Sequence, residues 1–273
     1  MIKLRMGICI SRLIILVSLF GDKPMSTFIE KLKKIRLVRA IVYAIVGSFS
    51  YPGLNMINKL HIEGTEHLKN LPKNKVLFVS NHQTYFAEVI AFLHIFCAVK
   101  WRKQNKLGIP YYLLNPFTNV FFVSAAETMR QSWLTRLFSL AGAVTVRRAW
   151  NASSTERRRG LDPSDTRKID RALKQAWVIN FPQGTTKPFA PGRKGTVLLI
   201  KQNRPIVIPI VISGFNIAFD KKGLKLKKKG TRLSVKFKAP LQIDYDTTND
   251  EMMEAIMVAI EQSKTQQGPE STA

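Results

Sequence analysis

Lys75-Val76-Leu77-Phe78-Val79-Ser80-Asn81-His82-Gln83-Thr84-Tyr85-Phe86-Ala87-Glu88 is the stretch from which the fold is read. Its first six residues form a strand-length, largely apolar run, and the chain turns polar at Asn81 before a helical pattern takes over from 84 to 97. A second junction of the same kind joins Trp177-Val178-Ile179-Asn180 to Phe181-Pro182-Gln183-Gly184-Thr185-Thr186. Polar residues just beyond strand ends are how open α/β sheets build their sites. Working outward, strands are expected at 75–80, 119–123, 142–147, 177–180, 205–212 and 232–237, with helices at 84–97, 126–141, 165–176 and 196–203. Such alternation defines the class as α/β, a layered α/β sandwich around a mostly parallel mixed sheet.

The flanks differ in character. Residues 1–58 read as an N-terminal membrane-associated segment, 59–248 as the catalytic domain, and 249–273 as a C-terminal helix opening near Asn249 with a polar tail. Leu13 to Phe20 is an apolar run far shorter than the ~20 residues of a membrane span. It lacks a small-x-small cleavage site, so it does not read as secretory, and Met25 opens a second candidate start. From Ser26 to Ser50 a helix is expected, with Lys31, Lys33, Lys34, Arg36 and Arg39 crowding its first half and an almost wholly apolar stretch from Ala40 to Phe49. A cationic amphipathic segment followed by a short apolar one suits an anionic membrane interface better than a crossing. The competing reading is a helix docked on its own core.

A net charge of +25 in 273 residues, with 45% hydrophobic residues, calls for an anionic partner on a globular domain. No zinc finger, basic recognition helix or RNA-binding aromatic signature is present, so a membrane surface is expected and nucleic acid is not. Cys9 and Cys97 provide neither a disulfide framework nor a metal spacing, which fits a reducing compartment. Lys221 to Lys229 reads as a basic hairpin-like stretch.

His82 is the best candidate base, because histidine titrates near neutrality and both accepts and returns a proton. His61, His67 and His94 have no comparable setting and read as structural or surface groups. In Phe181-Pro182-Gln183-Gly184-Thr185, proline and glycine set a tight turn in which Gly184 lets backbone amides approach an anion and Thr185 adds a hydroxyl. Lys187, Arg193 and a helix opening near Thr196 suit a phosphate, although the spacing is unlike a Walker loop.

Four blocks carry a resemblance: Asn81-His82 to Glu88, Gly142 to Arg148, Phe181 to Thr185, and Ile208-Pro209-Ile210-Val211. Their order and spacing, over roughly residues 75 to 215, resemble the glycerolipid acyltransferases that acylate lysophosphatidic acid. The resemblance implies transfer of an acyl group from acyl-coenzyme A or acyl carrier protein to the free hydroxyl of lysophosphatidic acid, giving phosphatidic acid, with no cofactor and no metal. It places the protein on the cytoplasmic face of the cell membrane. It also implies that His82 is the base, that Arg148 holds the acceptor phosphate with Lys187 and Arg193, and that Asn81, Gln183 and Pro209 support the site.

Two positions depart from the family pattern. The family aspartate, five residues after the histidine, is Ala87 here, and the first carboxylate is Glu88. One residue turns a helical side chain by about 100°, so Glu88 reaches His82 through an extra residue in the loop or through its longer side chain; a helix opening one residue later, with Thr84 as cap, is the expected device. Gln183 stands for the family glutamate, keeping length but losing charge. An acyltransferase for another lysolipid or amino-lipid acceptor, an inactive relative, and a basic peripheral membrane tether are the rival readings.

Overall fold

The computed structural model describes residues 36–126, 139–146 and 163–266. Among them a seven-stranded sheet runs in the order β1-β7-β6-β2-β5-β3-β4, formed by β1 (Lys59–Glu63), β2 (Val76–Ser80), β3 (Val120–Ala125), β4 (Ala143–Val146), β5 (Trp177–Asn180), β6 (Ile206–Ser213) and β7 (Arg232–Phe237). All neighbours are parallel except β6 and β7, which are antiparallel, so β1 and β7 run together against the other five strands. The expected mixed, mostly parallel sheet is present, and β1 is a strand beyond the six expected.

Residues of β2 and β5 are buried on both faces, which is why these segments read as continuous apolar runs rather than alternations. On one face, Phe78, Phe96, Trp177 and Phe237 pack ring against ring, with centroids 4.8 to 6.4 Å apart. On the other, Leu77, Val79 and Val207 pack with Leu173, Ile200, Met253 and Ile256 from α3 (Pro163–Gln175), α4 (Lys194–Asn203) and α5 (Asn249–Ala259). The layers are therefore helix, sheet and helix. Pro209 lies inside β6, between β2 and β7, and not on an edge. Its carbonyl accepts the Lys238 N–H at 2.9 Å, so its missing donor falls at the end of the β6–β7 ladder, which begins at Ile210.

The helix α2 (Ala87–Lys100) buries twelve consecutive residues from Ala87 to Ala98. A helix apolar all round needs cover on its outer side, and α1 (Arg36–Tyr51) lies against it. Their interface holds a buried polar chain: His94 lies 2.9 Å from Ser50 Oγ and 2.9 Å from Tyr112 Oη. Burial pushes His94 down to a pKa of about 4, so it is a neutral structural imidazole at physiological pH. Arg39 of α1 is also buried, donating to the Val120 carbonyl at 2.6 Å with its guanidinium 4.6 Å from the Phe121 ring centroid. Together α1 and the π-turn after it, Arg36–Met56, make 21 helical residues long and apolar enough to cross a membrane by length and composition. One side docks on the domain and the other exposes Leu37, Ile41, Ile45 and Phe49 at four-residue intervals. The expected segment from Ser26 to Ile35 and most of the expected helix 126–141 lie outside the described residues. The C-terminal helix is capped by Thr248, one residue earlier than expected, in a reciprocal box with Glu251.

Candidate active site

The site begins where β2 runs out. Ser80 is the last residue of β2 paired to β6, opposite Ile210. The Asn81 side chain then continues the ladder: Nδ2 donates to the Ile212 carbonyl at 2.9 Å, and Oδ1 accepts the Ile212 N–H at 2.8 Å. A carboxamide carries one donor and one acceptor face like a peptide unit, so it pins the chain to β6 while freeing the backbone to turn. Two residues on, Gln83 Oε1 accepts the Phe215 N–H at 2.9 Å. His82 is fixed from both sides.

Glu88 sits in the first turn of α2, fully buried. Its Oε1 accepts from His82 Nδ1 at 2.7 Å, from the Gln83 N–H at 2.9 Å and from the Thr84 N–H at 2.9 Å. Its Oε2 accepts the Thr84 hydroxyl. Burial alone would raise the carboxyl's pKa, but the His82 charge and the hydrogen bonds from His82 and Thr84 outweigh it and hold Glu88 below its ordinary 4.5. The helix N-terminus adds favourable partial charge. An ionised carboxylate only accepts, so His82 Nδ1 carries the hydrogen and the lone pair lies on Nε2. The His82 ring is also stacked on Phe181, centroids 4.1 Å apart and planes 24° from parallel. That contact joins the two strand-end blocks.

The later helix opening takes a different form from the one expected. α2 starts at Ala87 with Phe86 as N-cap, not at Thr84, and the Thr84 hydroxyl accepts the Ala87 N–H at 3.1 Å. The wider loop lets Glu88 turn back over the residues before it. Ala87, at the family's aspartate position, is buried against Gly223, whose φ of +74° suits only glycine and where any Cβ would lie 2.9 Å from that of Ala87. A side chain at 87 thus meets the 220–230 loop.

In the second block, Gly184 has φ +61° and donates to the Phe181 carbonyl at 2.9 Å, closing the turn. Gln183 is buried, and its amide nitrogen donates to the Ala190 carbonyl at 3.0 Å and to Gln262 Oε1 at 3.2 Å. Gln262 Oε1 in turn accepts the Phe189 N–H at 3.0 Å. Arg193 directs Nε to the Gln183 carbonyl at 3.1 Å and Nη2 to that of Gly184 at 3.4 Å; it braces the loop as the N-cap residue of α4, which opens at Lys194 and not near Thr196. Thr196 is buried and accepts from Asn180 Nδ2 at 2.8 Å. Lys187 is exposed, with its N–H on Thr185 Oγ1 at 3.3 Å. Pro209 is buried beside Val79 of β2, and Arg148 lies outside the described residues.

The structure therefore brings His82, Glu88 and Phe181 together, and binds Gln183, Gly184 and Arg193 into one loop. Sequence reasoning missed the roles of Thr84, Phe181 and Gln262. Thr84 is visible in hindsight as a hydroxyl four residues before a carboxylate at a helix start; nothing local announces Gln262.

A histidine aligned by a buried carboxylate on an α/β sheet defines a class able to move protons to and from a bound hydroxyl, as acyl transfer demands. The family described as Acyltransferase matches residues 59–213, more than half of the chain, and the protein belongs to that family. The family-level resemblance read from the four blocks is borne out. No curated protein matches the chain. Among solved structures it is similar to the 1-acyl-sn-glycerophosphate (LPA) acyltransferase PlsC from Thermotoga maritima, at 16% identity and a TM-score of 0.49 over 86% of this chain and 85% of that one. Family membership and the apolar helix α1 together point to membrane association.

Proposed function

We propose that the protein acylates lysophosphatidic acid, taking the acyl group from acyl-coenzyme A or acyl carrier protein and releasing phosphatidic acid. The observation that carries this reading is the 2.7 Å contact from His82 Nδ1 to the buried Glu88 carboxylate, which leaves Nε2 as the base. Nε2 takes the proton of the acceptor's free hydroxyl as the oxygen attacks the thioester carbonyl. The C–S bond then breaks, the new ester forms, and the imidazolium returns the proton to the departing thiolate. Glu88 stabilises the imidazolium between the two transfers and does not itself move a proton. No acyl-enzyme intermediate is needed.

Arg148, Lys187 and Arg193, with Gly184 and Thr185, bind the acceptor phosphate in this reading; guanidinium and ammonium groups at a strand end suit a dianion. The α1 helix sets the site at an anionic cytoplasmic leaflet. The test is acyl transfer by reconstituted protein from each donor to lysophosphatidic acid, beside His82→Ala. Phosphatidic acid is expected from the unmutated protein, and a loss of about 10²–10⁴-fold in the variant, the usual worth of general acid–base catalysis. Product from another lysolipid alone moves the acceptor assignment; failure with a panel of acceptors and both donors overturns the reading in favour of an inactive relative.

A further inference from the structure

The basic stretch from Lys221 to Lys229 has no part in the reaction as derived, yet the fold clamps it to the turn that carries the dyad. Asp220 heads it: Oδ1 accepts the N–H groups of Leu224 and Lys225 at 2.8 and 2.9 Å, and the Asp220 carbonyl accepts the Gly223 N–H at 2.7 Å. Leu224 and Leu226 pack against the core while Lys221, Lys222, Lys225, Lys227, Lys228 and Lys229 are exposed. No described carboxylate lies within ion-pair distance of any of the six. The strap touches the catalytic turn at two points. The Lys221 carbonyl accepts the Tyr85 N–H at 3.1 Å, and Gly223 abuts Thr84 Oγ1 and the Ala87 nitrogen so closely that a Cβ would lie 2.5 Å from each.

Exposed apolar side chains flank these cations. The strap leaves through Gly230, whose N–H bonds the Ile57 carbonyl at 3.0 Å, beside Met56 at 71% exposure. Its other side is held by the Ala218 carbonyl, which accepts the Lys227 N–H at 2.7 Å, in the helical turn that exposes Ile217 by 51%. Exposed lysines beside exposed apolar residues are the composition of an anionic lipid interface.

We infer that the 220–230 strap is a second membrane contact, in addition to the one made by the N-terminal helix, and that it seats the catalytic turn on anionic phospholipid headgroups. The occupant is the bilayer surface, since six exposed lysines with no described carboxylate partner lie on a loop whose leucines pack inward; Lys227 Nζ also donates to the Asn216 carbonyl at 3.3 Å.

The experiment measures binding of the full chain to phosphatidylcholine vesicles with and without about one-third phosphatidylglycerol. It compares the unmutated protein with Lys225→Gln, Lys227→Gln, Lys228→Gln and Lys229→Gln combined, and with the same four positions changed to Arg. A lysine near an anionic surface is worth about fivefold in affinity, so the glutamine variant should bind anionic vesicles at least about tenfold more weakly. Affinity for neutral vesicles and the thermal unfolding midpoint should be unchanged, and the arginine variant should bind like the unmutated chain. This arm needs no turnover, so it stands or fails apart from the catalytic reading. Resting on that reading, a second arm predicts weaker use of a vesicle-borne acceptor with turnover of a water-soluble short-chain acceptor retained. Unchanged anionic-vesicle binding overturns the proposal. So does an equal loss with the soluble acceptor, which makes the lysines part of the substrate site, and so does preferential binding to duplex DNA that disappears in the glutamine variant.

Discussion

The turn at 81–88 and the loop at 181–193 follow adjacent parallel strands, and each departs from the acyltransferase pattern at one acidic position; they resolve the departure in opposite ways. Around Glu88 every neighbour is a donor: His82, two backbone N–H groups and the Thr84 hydroxyl. Around the Gln183 nitrogen both partners are acceptors, the Ala190 carbonyl and Gln262 Oε1. A carboxylate is stable in the first setting and an amide in the second, because ionised carboxylates cannot donate. Conservative swaps at the two sites are therefore not equivalent: the surroundings decide which of glutamate and glutamine each one holds.

Glu88→Gln tests the first half and carries the largest expected effect. The new amide nitrogen must face one of the existing donors, and the imidazolium loses its counter-charge. Turnover should fall about 10²-fold or more, and stability by roughly 1–3 kcal/mol for unpaired buried donors. The pH dependence has a defined sign. The folded pKa of Glu88 lies below the ordinary 4.5, so the stability it supplies is present above 4.5 and is lost as pH falls through the lower folded value. Denaturant midpoints taken at successive pH values should show the gap between the unmutated protein and Glu88→Gln narrowing only below about 4.5. Full turnover in the variant breaks the comparison at its base.

Gln183→Glu is the reciprocal swap, with a smaller effect that appears in stability. A carboxylate there would point at two acceptors inside a buried loop, at a cost of about 2 kcal/mol. A lower thermal midpoint without a gain in kcat is the expected result. A gain in turnover would mean that the position works through charge and that its packing role is secondary.

What the sequence made legible divides by separation along the chain. His82 and Glu88 are six residues apart, and a base, a turn and a helix start in one short stretch sufficed to anticipate their contact. The six expected strands are each present because buried strands are short apolar runs with turn residues around them. β1 escaped notice although Lys59, His61 and Glu63 alternate with Leu60 and Ile62 as a half-buried strand does, because five residues of alternation weigh little beside the longer apolar runs. The Asn81 clamp on Ile212 spans 131 positions and the Gln183 contact with Gln262 spans 79. No periodicity reports such pairs, since they depend on which strand ends the topology brings together. The helix start was displaced for a similar reason: Thr84 serves the buried Glu88 carboxylate as well as the Ala87 N–H, and so stands outside the helix it was expected to cap.

The smallest expected effect on turnover, and the finest test of the contrast, comes from returning the carboxylate to the family position. Ala87 is 2% exposed and faces Gly223 of the strap, about 100° around the helix from Glu88. An aspartate there would gain up to about 1 kcal/mol from the helix N-terminus but lose more by burying an unpaired carboxylate against the strap, so the folded state should be destabilised by roughly 1–3 kcal/mol. With Glu88 present, Ala87→Asp should leave turnover within about threefold, as expected where no transition-state contact is added. In a Glu88→Ala background it should restore nothing, because the side chain points at the strap and the donors of Gln83 and Thr84 still have no acceptor. Rescue of turnover in that double variant would show that the loop can rewind to the family register, and that the geometry of Glu88 is one of two interchangeable solutions.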